Sequence, residues 1–126
     1  MSADEPANEA PGAAAGVPRG CVLVTGASGS LGRRTIPALI APGRTVIAAD
    51  LAIPEERIDG VDYVVLDVCG GDLEAVFRAR GVDTVVHLAA LVSPRPGQGE
   101  EEQRLVDVEG TRRVVAACLA TGVRRL

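Results

Sequence analysis

An α/β fold, a doubly wound parallel sheet that runs as far as the opening of a fifth strand, is what this sequence predicts, and three observations predict it. Short apolar runs alternate with stretches of helical period from Cys21 onward. Hydrophobic residues make up 47% of the chain, yet there is one Phe, one Tyr and no Trp, so the core is aliphatic, as suits a parallel sheet covered on both faces. A glycine-rich turn, Gly26-Ala27-Ser28-Gly29-Ser30-Leu31-Gly32, joins the first apolar run to the first helical stretch.

The elements follow in order. Residues 1–19 are rich in Ala, Pro, Gly and acids without apolar periodicity, which predicts a disordered tail ahead of a single domain over 20–126. Asp4, Glu5 and Glu9 stand where a secretory leader would carry basic residues, and no apolar run follows them. Cys21-Val22-Leu23-Val24 is a first strand. Ser30 to Ile40 reads as a helix with Leu31, Thr35, Ile36 and Leu39 on one side, although Pro37 removes a backbone donor inside it. Thr45 to Ala49 is a second strand ending at Asp50, and a loop runs through Pro54 and Gly60.

Val61 to Val68 reads as a third strand, and Asp72 can cap a helix from Leu73 to Arg80. Val82 to Leu88 is a fourth strand, followed by a Pro/Gly loop from Ser93 to Gly99. Glu101 to Thr121 is a longer helix with Leu105, Val108, Val115 and Leu119 at helical spacing, closed by Gly122. Gly110 inside it marks a close-packing position, because a helical glycine costs about 1 kcal/mol relative to Ala. Val123 to Leu126 opens a fifth strand. Strands alternating with helices imply right-handed crossovers and a Rossmann-type layout.

Composition narrows the function. A net charge of -4 and the shortage of aromatics argue against nucleic-acid and anionic-membrane surfaces. No segment approaches the about 18 apolar residues of a membrane span. All 13 basic residues are Arg, which removes Schiff-base lysine chemistry and the Walker phosphate loop. Cys21, Cys69 and Cys118 are far apart with no CxxC, which reads as a reduced, cytoplasmic chain with no metal site.

The glycine turn carries the chemistry. Gly26 makes a sharp turn after the strand, Gly29 lets a pyrophosphate approach the backbone, and Gly32 lets the helix pack on the strand. Ser28, Ser30 and Leu31 lie between them, and the helix start offers unpaired N–H groups and a partial positive charge. Asp50 follows near the offset of about twenty residues at which a carboxylate meets the adenosine ribose, and it repels a 2′-phosphate. That favours NAD over NADP, while Arg33 and Arg34 offer charge to a phosphate.

With these residues the chain resembles the extended short-chain dehydrogenases/reductases, the NAD-dependent epimerase/dehydratase family. Thr25 to Gly32 has that family's Gly-x-x-Gly-x-x-Gly spacing. Asp67-Val68 matches the place where the family sets an Asp against the adenine, and His87-Leu88-Ala89-Ala90 the place where small residues line the cofactor cleft. Asp107-Val108-Glu109-Gly110-Thr111 is similar to the family's Asn-Val-x-Gly-Thr, with Asp107 in place of Asn, and Gly122-Val123-Arg124-Arg125-Leu126 to the approach to strand five. Ser30 is small where the family often has an aromatic residue.

The resemblance implies an NAD-binding part of an epimerase-, dehydratase- or dehydrogenase-type oxidoreductase acting on a nucleotide-sugar or similar hydroxyl or carbonyl substrate. It also implies a homodimer and a small-molecule substrate held mainly by a C-terminal half. The family's Tyr-x-x-x-Lys pair is not in these residues: Tyr63 lies on the third strand and Lys is absent. The expected chain is therefore an N-terminal fragment, inactive alone, with no catalytic residue of its own. His87 reads as a packed histidine at the cleft rim and not as a general base. A non-catalytic nucleotide-binding or redox-sensing module is the alternative.

Overall fold

Alternate residues of the first two apolar runs go to opposite faces of one sheet, and that alternation sets the architecture. A computed structural model describes residues 20–90, 97 and 99–126. Strand β1 (Cys21–Thr25) leads through helix α1 (Ser30–Leu39) to β2 (Thr45–Asp50), and β3 (Val61–Val65) through α2 (Leu73–Arg80) to β4 (Val82–His87). Then come α3 (Glu100–Arg104), a π-helical turn (Leu105–Glu109) and α4 (Gly110–Thr121). The strands are parallel in the order β3-β2-β1-β4.

Val22, Val24, Val46 and Ala48 face α1 and meet Ile36. Cys21, Leu23, Ile47, Ala49 and Val85 face the other way, onto Leu73 and Phe77 of α2 and Val114, Ala117 and Cys118 of α4. Helices thus cover both faces, and the expected doubly wound sheet is present. Of the fifth strand expected from Val123 only an isolated bridge is present: Arg125 pairs in parallel with Thr84, and the Val85 N–H donates to the Arg125 carbonyl at 2.9 Å. Chain connections diverge on either side of β1 and β4, which leaves a crevice at their carboxyl ends.

Local signals placed the helix ends well. The Asp72 carboxylate accepts the Ala75 N–H at 3.0 Å. Gly81 and Gly122 close α2 and α4 in the left-handed conformation, at φ 62° and 75°. Pro37 does not break α1, which ends at Leu39, whose carbonyl accepts from the Arg44 guanidinium at 2.8 Å.

Four expectations are corrected. The third strand stops at Val65 and not Val68: the Asp67 carbonyl accepts the N–H groups of Gly70 and Gly71, at 3.2 and 2.7 Å, and pulls the chain into a turn. The last helix is interrupted by the π-turn, where the Gly110 N–H reaches back to the Leu105 carbonyl. Its stripe of Leu105, Val108, Val115 and Leu119 is exposed, Leu119 at 81%. The buried face is the small-residue one, Gly110, Val114, Ala117 and Cys118. A Cβ on Gly110 would come within 2.9 Å of Val68, so small residues are what let this face approach the core. Likewise Leu31 of α1 is exposed, and Gly32 and Ile36 take the buried face. The predicted tail, 1–19, lies outside the described residues, as does the Pro/Gly loop from Ser93 to Gly99 apart from its two glycines.

Candidate functional site

The site begins at the end of β1. Gly26 has φ +67°, and a Cβ there would lie 2.7 Å from the Leu88–Ala89 backbone, so conformation and space both demand glycine. A Cβ on Gly32 would strike the Gly26 and Ala27 carbonyls at 2.6 Å, which fits the packing role expected of it. Gly29 is less crowded, with only the Gly26 carbonyl 3.4 Å from a Cβ built there, and it is the N-cap of α1. No side chain caps that helix and its first turn has no acid, so its leading N–H groups carry their partial positive charge to the crevice with no acid of the helix itself to offset it.

Above this turn lies a cavity of about 630 Å³. Its walls gather Gly26, Gly29, Ser30, Leu31, Gly32, Asp50, Asp67, Val68, Leu88, Ala89 and Ala90 from four separate stretches of sequence. Asp50 is held by two backbone donors, Ser28 N–H to Oδ2 at 2.9 Å and Leu51 N–H to Oδ1 at 2.7 Å. Each oxygen keeps a lone pair for a ligand hydroxyl. Asp67 is steadied by the Cys69 N–H on Oδ1 at 2.9 Å.

Two of the singled-out residues stand outside the wall. Ser28 gives its N–H to Asp50 and its hydroxyl to the Ala52 carbonyl at 3.0 Å, so it orients Asp50 and does not face the cavity. Asp107 lies in the π-turn, where its carbonyl accepts the Thr111 hydroxyl at 2.7 Å. Sequence reasoning missed Thr25, Ala49, Leu51, Leu66, Glu102 and Val106, all of which line the cavity, as does Arg34. The first four flank residues the motifs did name. Glu102 and Val106 carry no local signal and arrive only because the last helix crosses the crevice.

Thr25 is 1% exposed and its hydroxyl organises the cavity floor, taking the N–H groups of Leu88 and Ala89 at 3.0 and 3.2 Å. Beside it His87 is half-buried, and burial pushes its pKa below the ordinary 6.5. Tyr63 is committed elsewhere: its hydroxyl accepts the Ile58 N–H at 2.9 Å. Burial raises the pKa of the Cys21, Cys69 and Cys118 thiols, so none is an activated nucleophile. A shallower hollow of about 380 Å³ near Gly71 is lined by Arg113, whose guanidinium is engaged by the Val68 and Gly71 carbonyls at 2.7 and 2.6 Å. Among the described residues there is no cluster that would hold a metal ion, and no helix is long and apolar enough to cross a membrane.

Known proteins are similar to this chain. The chain is 35% identical over 113 residues to short-chain dehydrogenase/reductase family 42E member 1 of Mus musculus, covering 86% of this chain and 29% of that protein. It is 37% identical over 106 residues to L-arabinose 1-dehydrogenase (NAD(P)(+)) of Haloferax volcanii, covering 83% of this chain and 38% of the relative. Among solved structures, MoeE5 in complex with UDP-glucuronic acid and NAD superposes with a TM-score of 0.69 at 33% identity, over 82% of this chain and 34% of that one. The chain thus spans about a third of the length of the proteins it matches. Residues 22–126 match the family model that describes the NAD dependent epimerase/dehydratase family. A glycine turn before an uncapped helix, an acid ending the second strand and a match through nearly every described residue lead to one conclusion: the chain belongs to the NAD dependent epimerase/dehydratase family.

Proposed function

We propose that the cavity holds NAD, and that the polypeptide to which these residues belong passes a hydride between NAD and the hydroxyl or carbonyl carbon of a small substrate of the nucleotide-sugar class. One observation carries this reading: the uncapped N-terminus of α1 and the Asp50 carboxylate line the same cavity. The pyrophosphate rests over Gly29 and the leading N–H groups of α1, where partial positive charge and a missing Cβ favour it. Asp50 accepts from the adenosine ribose hydroxyls and opposes a 2′-phosphate. Asp67 and Val68 sit by the adenine, and Leu88, Ala89 and Ala90 form the far wall. NAD, when bound, supplies the hydride acceptor or donor.

These residues bind and do not transfer protons, because the chain's one Tyr is tied to Ile58 and Lys is absent. The proton-transferring pair and most substrate contacts are assigned to the length by which the relatives exceed this chain. The substrate class rests on the UDP-sugar bound to MoeE5. Free cysteines at 21, 69 and 118 fit a reducing cytoplasm.

Titration of the intact polypeptide with NAD and NADP tests the reading. Asp50→Ala should weaken NAD by about tenfold or more and narrow the preference over NADP, since a hydrogen bond to a charged group is worth about 1.5–3 kcal/mol. An Asp50→Ala protein with unaltered affinity for both would remove the ribose role. Arg34 also lines the cavity, and Arg34→Ala should weaken NADP more than NAD.

A further inference from the structure

His87, the single histidine of the chain, does not line the cavity, yet it links Thr25, which does, to Thr111 at the start of α4. Its Nδ1 is 2.7 Å from the Thr25 hydroxyl and its Nε2 is 3.0 Å from the Thr111 hydroxyl. Counting donors assigns the protons. Thr25 Oγ1 already accepts from Leu88 and Ala89, so its own proton goes to Nδ1. Thr111 spends its proton on the Asp107 carbonyl, so its oxygen accepts, and the donor is Nε2–H. The ring is therefore neutral, with its proton on Nε2. A continuous chain of hydrogen bonds runs from the amides of the Leu88–Ala89 wall to a carbonyl of the π-turn.

The π-turn is what makes that link consequential. Relaxing it to α-helix would remove one residue from the turn and rotate everything before it by about 100° around the helix axis. Glu102, ahead of the turn, would then leave the cavity wall, and Val106, inside it, would shift. We propose that His87 is a positioning residue for the dinucleotide, its neutral ring clamping the floor of the cavity at Thr25 to the π-turn that presents Val106. The proposal rests on the NAD reading above.

Charged groups on the elements around the ring are otherwise placed. Glu109 pairs with Arg104 and Arg112 at 3.5 and 3.3 Å, and Arg113 serves the Val68 and Gly71 carbonyls. Asp83 holds the Cys21 N–H at the opposite end of β4, and Asp107 enters the network through its carbonyl. Protonating Nδ1 would set two donors against each other at Thr25, so the clamp opens in acid.

The test uses the intact polypeptide, labelled with ¹⁵N. The lone imidazole should show the neutral Nε2–H pattern at neutral pH. NAD affinity should decline as the ring protonates, with circular dichroism unchanged. His87→Phe should lower NAD affinity about tenfold at neutral pH, the scale of one or two lost hydrogen bonds, and abolish that pH dependence. Thr111→Val cuts only the far end of the clamp; it should weaken NAD similarly, and the double variant should be no worse than either. If His87→Phe fails to fold, Thr111→Val and the ring signals carry the test. A proton on Nδ1, unchanged NAD affinity in Thr111→Val, or additive losses overturns the clamp while leaving the NAD reading intact. An unsubstituted polypeptide that binds neither NAD nor NADP overturns both.

Discussion

Gly26 and Gly60 both have positive φ, +67° and +82°, but of the two only Gly26 lies against other backbone, that of Leu88 and Ala89 just past β4. Gly60→Ala should cost about 1–2 kcal/mol, the left-handed penalty alone, because nothing lies within 4 Å of its Cβ. Gly26→Ala should cost about 3 kcal/mol or more, since Leu88 and Ala89 must move and Thr25 loses its partners. Urea denaturation of the two variants side by side measures the difference. His87 adds a pH term of defined sign. The unfolded ring gains its proton near pH 6.5, and the folded ring gains it at lower pH. Between those points the unfolded state binds more protons, so stability falls on acidification from about pH 6.5 and levels off once the folded ring is charged. His87→Phe should flatten that segment of the stability profile.

Helices α1 and α2 start in opposite ways, and the contrast separates function from stability. Asp72 caps α2, with Glu74 in its first turn. Asp72→Ala should cost about 1 kcal/mol, read as a lower denaturation midpoint, with no effect on NAD titration. Helix α1 has neither a side-chain cap nor an acid. Ser30→Asp should therefore leave stability equal or raise it by about 0.3–1 kcal/mol through the helix dipole, while weakening NAD at least tenfold by charge repulsion. A Ser30→Asp protein that kept full NAD affinity would mean that no phosphate approaches the start of α1. The last helix makes a different point: its apolar stripe was legible, but its side of burial was not.

At the scale of the whole molecule, two aliphatic layers sandwich one sheet, and stability is concentrated where β1 and β2 meet helices on both faces. Phe77 is 1% exposed in the layer under α2 and α4, whereas Leu119 is 81% exposed. Phe77→Ala should cost about 3–5 kcal/mol. Leu119→Ala should stay within about 0.5 kcal/mol in this chain, although periodicity alone ranks it among the core positions. The sheet order places the carboxyl ends of β1 and β4 side by side, so residues 62 positions apart, such as Thr25 and His87, share one hydrogen bond. Such coupling is a property of the assembled sheet and of no segment within it.

The order of elements, the glycine turn and the placement of Asp50 were legible in the sequence, because each depends on near neighbours. Apolar alternation, cap chemistry and the φ of a glycine are local preferences that survive in any tertiary context compatible with them. Three features were decided only by tertiary structure. The end of β3 at Val65 follows from a turn through Asp67, and the burial of Gly110, Val114, Ala117 and Cys118 follows from how closely α4 can approach Val68 and Phe77. The proton on His87 Nε2 follows from which hydroxyls flank the ring. Period tells which residues share a helix face, but which face is buried depends on the shape of the partner, and a tautomer depends on donors brought in from distant strands. The sequence by itself therefore determined the family and the outline of a dinucleotide cradle, and the packed fold decided which residues close it.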